Sequence, residues 1–257
     1  MSENLIRSAQ RIFSILEILA AKGELGVTEL AALSGLNKAT VHRQLNTLLS
    51  MGYVRKNEQS EKYGLTFKLL DVAGQFLSRI DLRALARPYL DKLAELTGET
   101  VHLVQKEGAY CVYIDKVEPS VNSIRMVSRI GLRLPLYCTA VGKSILAARS
   151  NQEILSIWNS SDISAHTPNT ITDWKKFERE IESVRCLGYA VDNEENEIGV
   201  RCVAVALRDF TGKACHAISV SAPVSRMDEN RIRQTAELLL KIKRELYGNY
   251  ALDDREA

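Results

Sequence analysis

TELAALSGLNKATVHRQLNTLLSMG, residues 28–52, divides into two short helices on either side of Gly35. Thr28 is the expected N-cap of the first, which runs to Ser34, and Gly35 supplies the turn. Asn37 caps the second, and Gly52 suits the left-handed position that closes a helix. Val41, Leu45, Leu48 and Leu49 recur at helical spacing and form one apolar stripe. Thr40, Arg43, Asn46, Thr47 and Ser50 are placed on the opposite side, with Lys38 at the helix start and His42 and Gln44 on the flanks. No Asp or Glu stands between Glu29 and Glu58, whereas Lys38, Arg43, Arg55 and Lys56 all fall in that window. An acid-free, polar second helix is what a helix-turn-helix needs to enter a major groove. The competing reading is an ordinary surface hairpin of helices.

The flanking segments decide between the two. Residues 5–22 read as an amphipathic helix with Ile6, Ala9, Ile12, Phe13, Leu16 and Leu19 near one face. After Gly52, Tyr53–Arg55 read as a strand, Asn57–Ser60 as a turn and Lys62–Leu65 as a return strand. Helix, helix, turn, helix and hairpin in this order predict a winged helix-turn-helix over residues 5–65, with the helix-turn-helix at about 26–47. In that reading Thr40, Arg43 and Gln44, joined by His42 and Asn46, read base edges, while Lys38, Arg55, Lys56 and Lys62 hold phosphates.

Residues 66–80 read as a linker helix that is apolar on more than one face (Phe67, Leu70, Val72, Ala73, Phe76, Leu77), which predicts a dimer seam. From Asp81 a second domain is expected to run to about residue 250. It holds a helix through Pro88 to Gly98, strands on both sides of Glu107–Gly108, and a strand candidate at SIRMVSRI, residues 123–130. An extended stretch broken by Pro135 enters a helix near Thr139. Helices at 151–159 and 173–186 follow, then strands at 188–191, 200–208 and 214–221, and a closing helix at 226–247 capped by Ser225. Hairpins with flanking helices, without regular strand–helix alternation, predict an α+β domain around an antiparallel sheet.

Composition bounds the function. The first 80 residues hold ten Lys/Arg against seven Asp/Glu, the remainder 24 against 25, a mild bias toward an anionic partner at the front. Five cysteines without a CxxC pair argue against a disulfide framework or a zinc ribbon, and no metal or cofactor is expected. MSENLIRSAQ lacks the pattern of a signal peptide and no apolar run approaches a membrane span, so a cytoplasmic protein without a membrane partner is expected. A hydrolase using a cysteine or serine of the second domain is the alternative, with His102, His166 and His216 as candidate bases. GxSxG, HExxH and P-loop spacings are absent, and no catalytic residue is assigned.

With these elements in place, LNKATVHRQLNTLLSMGYV, RLPLYCTAVGKSILA, GYAVDNEENEIGVRCVAVAL and HAISVSAP together make the chain resemble the IclR family of bacterial transcription regulators, from about residue 5 to 247. SEKYGLTFKL, RMVSRIGLRLPLY and DNEENEIGVRC look most like its KdgR branch, whose members respond to sugar acids. The resemblance implies a GAF-like effector-binding domain, a dimer or tetramer, repression of sugar-acid or other small-carboxylate catabolism genes, and binding to a near-palindromic operator. It carries the effector pocket onto Ala140, Val141, Asp192, Cys202, Ser219 and Ser221, with Met126, Arg129, Tyr137 and Glu195 around it. Family members often have Gly-Ala where this chain has Ala140–Val141, which adds bulk to the pocket. Physical reasoning gives a parallel account. Amides opening the helix near Thr139–Gly142 favour a carboxylate, Ser219 and Ser221 share one strand face, and Asp192 with Arg201 is expected to form a charge pair.

Overall fold

The computed structural model describes residues 6–77, 81–119, 128–209 and 212–249. The chain divides into two compact units, residues 1–80 and 81–257.

The first unit begins with α1 (Arg7–Lys22), α2 (Val27–Ser34) and α3 (Lys38–Ser50). A two-stranded antiparallel wing, β1 (Val54–Lys56) and β2 (Tyr63–Leu65), precedes α4 (Lys68–Leu77). Asn37 caps α3 by accepting from the Thr40 amide at 2.8 Å. The α2 start differs from expectation: Thr28 lies inside the first turn, and the Glu29 carboxylate reaches back to the Gly26 N–H at 2.8 Å, so the cap is two residues earlier. Gly35 and Gly52 both take positive φ, as turn and helix exit require. The core joins Ile15 and Leu19 to Leu30, Val41, Leu45, Leu48, Val54 and Tyr63. The buried face of α1 is thus rotated from the expected one: Ile12, Ile15, Leu16 and Leu19 make the stripe, whereas Ile6, Ala9 and Phe13 are exposed. Mutual Leu25–Tyr63 backbone bonds tie the wing to the loop before α2.

The second unit is built on a six-stranded antiparallel sheet. Its strands are β3 (Thr100–Glu107), β4 (Tyr110–Val117), β5 (Arg133–Pro135), β6 (Ala190–Asn193), β7 (Val200–Arg208) and β8 (Ala214–Pro223), in the spatial order β5-β4-β3-β8-β7-β6. One face packs on α5 (Leu82–Thr97) and α9 (Glu229–Asn249) through Val101, Leu103, Val203, Val205, Ile218 and Val220. The other face meets α6 (Ala140–Ala147) and α8 (Trp174–Leu187), with α7 (Asn151–Ser160) between them in the chain. The alternation of strand side chains therefore sorts residues by face. His102, Cys202, Ser219 and Ser221 fall on the α6 side because their neighbours one residue away fill the opposite core.

Two helix boundaries are corrected. The closing helix starts at Glu229, where Asp228 accepts from the Arg231 amide at 2.7 Å, and Ser225 sits in a short 3-10 turn instead of capping it. Gly188 ends α8 in the left-handed region, so β6 begins at Ala190 rather than residue 188. Most of the strand candidate at 123–130 lies outside the described residues, as does Met126.

Candidate effector pocket and nucleic-acid interface

The recognition face of α3 is narrower than its sequence suggests. Lys38, His42, Arg43, Asn46 and Thr47 are exposed. Thr47 Oγ1 donates to the Arg43 carbonyl at 3.1 Å, and Asn46 Nδ2 lies 3.3 Å from His42 Nδ1. Thr40 and Gln44 are buried, 9% and 6% exposed. Both fall in register with Leu48, one helical turn apart, and so flank the core stripe instead of opposing it.

The wing cations do not stand free. Arg55 is paired with Glu24, Lys56 with Glu61, and Lys62 Nζ lies 3.7 Å from Glu29. Glu29 is held below the usual carboxylate range by the Gly26 N–H and by Lys62. Sequence reasoning passed over Arg7 and Arg11, which border a concave surface beside Ser34 and Leu36, at the turn into α3. Their i, i+4 spacing was the available signal.

In the second unit, α6 lies against the sheet and is locked there by two devices. Gly142 sits where a Cβ would fall 2.1 Å from the Leu136 carbonyl oxygen, so only glycine permits this approach. Lys143 is fully buried and donates to Glu180 at 2.8 Å and Glu195 at 2.5 Å. Burial opposes the ammonium charge, but the two carboxylates outweigh it and raise the Lys143 pKa.

A cavity of about 250 Å³ opens between the α6 N-terminus, the sheet and the loop after β6. It gathers Ala140, Val141, Asp192, Cys202, Ser219 and Ser221, six of the expected pocket residues. The register explains why residues so far apart meet: Asp192 pairs with Cys202, which pairs with Ser221, while Ser219 pairs with His102. Thr139 caps α6 by accepting from the Gly142 amide at 3.2 Å, leaving the Ala140 and Val141 amides without acceptors within the helix.

Asp192 Oδ1 accepts from the Glu195 amide at 2.7 Å and the Asn196 amide at 3.3 Å. Burial, reinforced by the Glu195 charge, still pushes its pKa up to about 7. The expected Asp192–Arg201 pair is not formed, because Arg201 turns to Asn193, the Met227 carbonyl and Glu229. Burial pushes the Cys202 thiol up, so it is neutral.

Three other expected pocket residues lie elsewhere. Tyr137 is buried, its hydroxyl donating to the Ser164 carbonyl at 2.7 Å, and it does not line the cavity. Glu195 faces Lys143, and Arg129 is exposed outside the lining. The lining includes Thr139, at the helix opening already expected to meet a carboxylate, and adds His102, Tyr113, Ser128, Asn196 and Glu197, which sequence reasoning did not place there. His102 Nε2 lies 2.7 Å from Ser128 Oγ and Nδ1 lies 3.4 Å from Ser221 Oγ. Burial and Lys116 lower its pKa to about 3, so the ring is neutral near pH 7 and donates from one nitrogen only. Among the described residues the lining contains no Lys or Arg, and its carboxylates are Asp192 and Glu197.

Residues 8–58 match the IclR helix-turn-helix domain, and residues 74–246 match the C-terminal domain of the bacterial transcriptional regulator IclR. The chain belongs to the IclR family. As an IclR-family member it is a transcriptional regulator with a helix-turn-helix head, and its α+β fold agrees with that of solved relatives. The HTH-type transcriptional regulator KdgR of Escherichia coli (strain K12) is 36% identical over 249 residues, covering 97% of this chain and 94% of the relative. The acetate operon repressor of Salmonella typhimurium is 30% identical over 244 residues, covering 94% and 89% respectively. The crystal structure of the Thermotoga maritima IclR matches with a TM-score of 0.63 at 35% identity, covering 95% of this chain and 98% of that one. Among the described residues no helix is long and apolar enough to cross a membrane.

Proposed function

We propose that this protein is a repressor of small-acid catabolism genes whose operator affinity is set by a hydroxy- or keto-acid bound in the 250 Å³ cavity. The polarity of that cavity carries the reading. At one end the Ala140 and Val141 amides, which have no acceptor within α6, favour a carboxylate. At the other, Asp192 and Glu197 accept hydrogen bonds from hydroxyl groups, while Ser219, Ser221 and neutral His102 offer both donors and acceptors. An acid with a polyhydroxy tail satisfies both ends, and its kinship with KdgR favours a sugar acid. A dianion is disfavoured by the two lining carboxylates.

The head docks α3 in the major groove, with Arg43 as the bidentate guanine reader and Lys38 on phosphate. Arg7 and Arg11 are added as phosphate contacts beside the turn. Exposed Phe67, Leu70 and Phe76 around α4 support assembly into a dimer or tetramer. A two-fold assembly calls for a near-palindromic operator with half-sites about one helical turn, or a multiple, apart. Ligand binding then shifts the balance between arrangements of the two heads, a coupling of about 1–3 kcal/mol.

The test is calorimetry of 2-keto-3-deoxygluconate, gluconate, pyruvate and glyoxylate on the full chain, paired with operator titration. Saturable binding of one acid that also changes operator affinity supports the proposal. Failure of every acid to bind, or binding without any change at the operator, overturns the ligand-responsive part.

A further inference from the structure

A second and larger cleft, about 590 Å³, lies at the opposite end of α6. It is bounded by the α6 C-terminus, the start of α7, the end of α8, the end of β7 and one side of α9. Arg149, Arg185, Arg208 and Lys243 line it with Ser150 and Asn151, and among the described residues no carboxylate does. Glu153 and Glu182, the partners of Arg149 and Arg185, are exposed and lie outside the lining. The Arg149 Nε is buried with no hydrogen-bond partner among the described residues. The positive field extends further: Lys106 has a lowered pKa, through burial and then through Arg149.

We propose that this cleft binds a small, multiply charged anion of phosphate chemistry. Arg149 and Arg185 bring their charges to the cleft with Nη1 of each turned to an exposed carboxylate, Glu153 or Glu182, whose place a phosphate oxygen can take, and Arg208 and Lys243 add two further charges. Among the described residues the effector cavity has the reverse polarity, with two carboxylates and no Lys or Arg, so the two sites select different ligands. The concavity favours a small molecule over a nucleic-acid backbone, which would need an open groove.

One helix joins the sites. Arg185 donates from Nε to the Ala147 carbonyl at 2.9 Å and from Nη2 to the Arg149 carbonyl at 2.7 Å, gripping the C-terminal end of α6. Ala140 and Val141 at the other end wall the effector cavity. An anion that draws the guanidiniums toward itself loosens that grip and shifts the wall. Anion and acid therefore alter each other's affinity by the same factor. This last step rests on the effector reading above; anion binding itself does not.

The test titrates inorganic pyrophosphate, and separately a hexose 6-phosphate, into the full chain at constant ionic strength without any acid present. Saturable binding weakened at least tenfold in Arg208→Gln/Lys243→Gln, and unchanged in Lys92→Gln/Lys176→Gln, a control that also removes two positive charges, supports the site. Tighter binding of the ester identifies an organic phosphate as the source, and tighter pyrophosphate an inorganic one. No saturable binding, sulfate binding as tightly as either probe, or equal affinity in the double variant overturns it. If the double variant loses the wild-type melting profile, the two single variants carry the test, each expected to lose several-fold.

Discussion

Lys143→Met is the most demanding perturbation of the effector unit. Its ammonium is fully buried, and Glu195 at 2.5 Å is buried as well, whereas Glu180 is partly exposed and can turn to solvent. Removing one partner of a buried ion pair costs about 3–5 kcal/mol, because the other is left uncompensated. The variant has an escape: Glu195, already raised by burial, can remain protonated in the folded state. Holding a proton at pH 7.5 on a group with an ordinary pKa of about 4.3 costs at most about 4 kcal/mol, at 1.36 kcal/mol per unit. The expected loss at pH 7.5 is therefore about 3–4 kcal/mol.

The pH dependence has a definite sign. Between the unfolded pKa and the higher folded one, the folded variant binds more protons than the unfolded chain. Its stability relative to wild type thus falls as pH rises, by up to about 1.4 kcal/mol per unit, and recovers toward pH 5. Both tryptophans, Trp158 and Trp174, lie in this unit, so fluorescence-monitored urea unfolding reports on it directly. Adding Glu195→Gln to the variant should restore most of the loss at neutral pH. A loss under about 1 kcal/mol at pH 7.5, or one that does not change between pH 5 and 8, would refute the pinned-helix account.

Arg43→Ala should cost about 1–3 kcal/mol at the operator and relax discrimination at one base pair, measured by titrating single-base operator variants. Lys62→Ala should weaken all sequences alike, with a change in salt slope below the roughly one unit of a free cation because Glu29 already faces it. Acid affinity should fall as pH rises through about 7, where Asp192 takes on a negative charge within the same small cavity as the anionic ligand; Asp192→Asn should flatten that profile in calorimetry at several pH values. Gly142→Ala should abolish acid binding, or lower the urea midpoint of the Trp-reported transition, since its Cβ meets rigid backbone. Phe67→Ser/Phe76→Ser should shift the sedimentation of the full chain toward monomer if α4 is the seam.

Much of the head was legible because helical spacing and capping are local. Asn37, Gly35 and Gly52 announce α3 within a few residues. The misplacement of Thr40 and Gln44 shows the limit: polarity suggested a solvated face, but a 100° step stacks both with Leu48 against the core. Glu29 likewise moved the α2 cap by side-chain reach, which residue propensity does not reveal. In the second unit, family likeness located Asp192, Cys202, Ser219 and Ser221. His102 and Tyr113 were missed because strand pairing, not sequence distance, brings them to the same cavity. Glu195 reads as a pocket or loop acid until its partner is known, and that partner lies 52 residues earlier. The one advance sign was a lysine inside AVGKSILA, an otherwise small and apolar run.

The carboxylates beside the wing bear on how such a protein finds its target. Glu24, Glu61 and Glu29 already neutralise Arg55, Lys56 and Lys62, so arbitrary duplex offers the wing little extra attraction. On the proposed DNA-binding reading, dwell times on random duplex would be shortened, while a site that engages Arg43 would keep its full advantage. In a genome crowded with competing sequence, that restraint would widen the ratio of correct to incorrect occupancy.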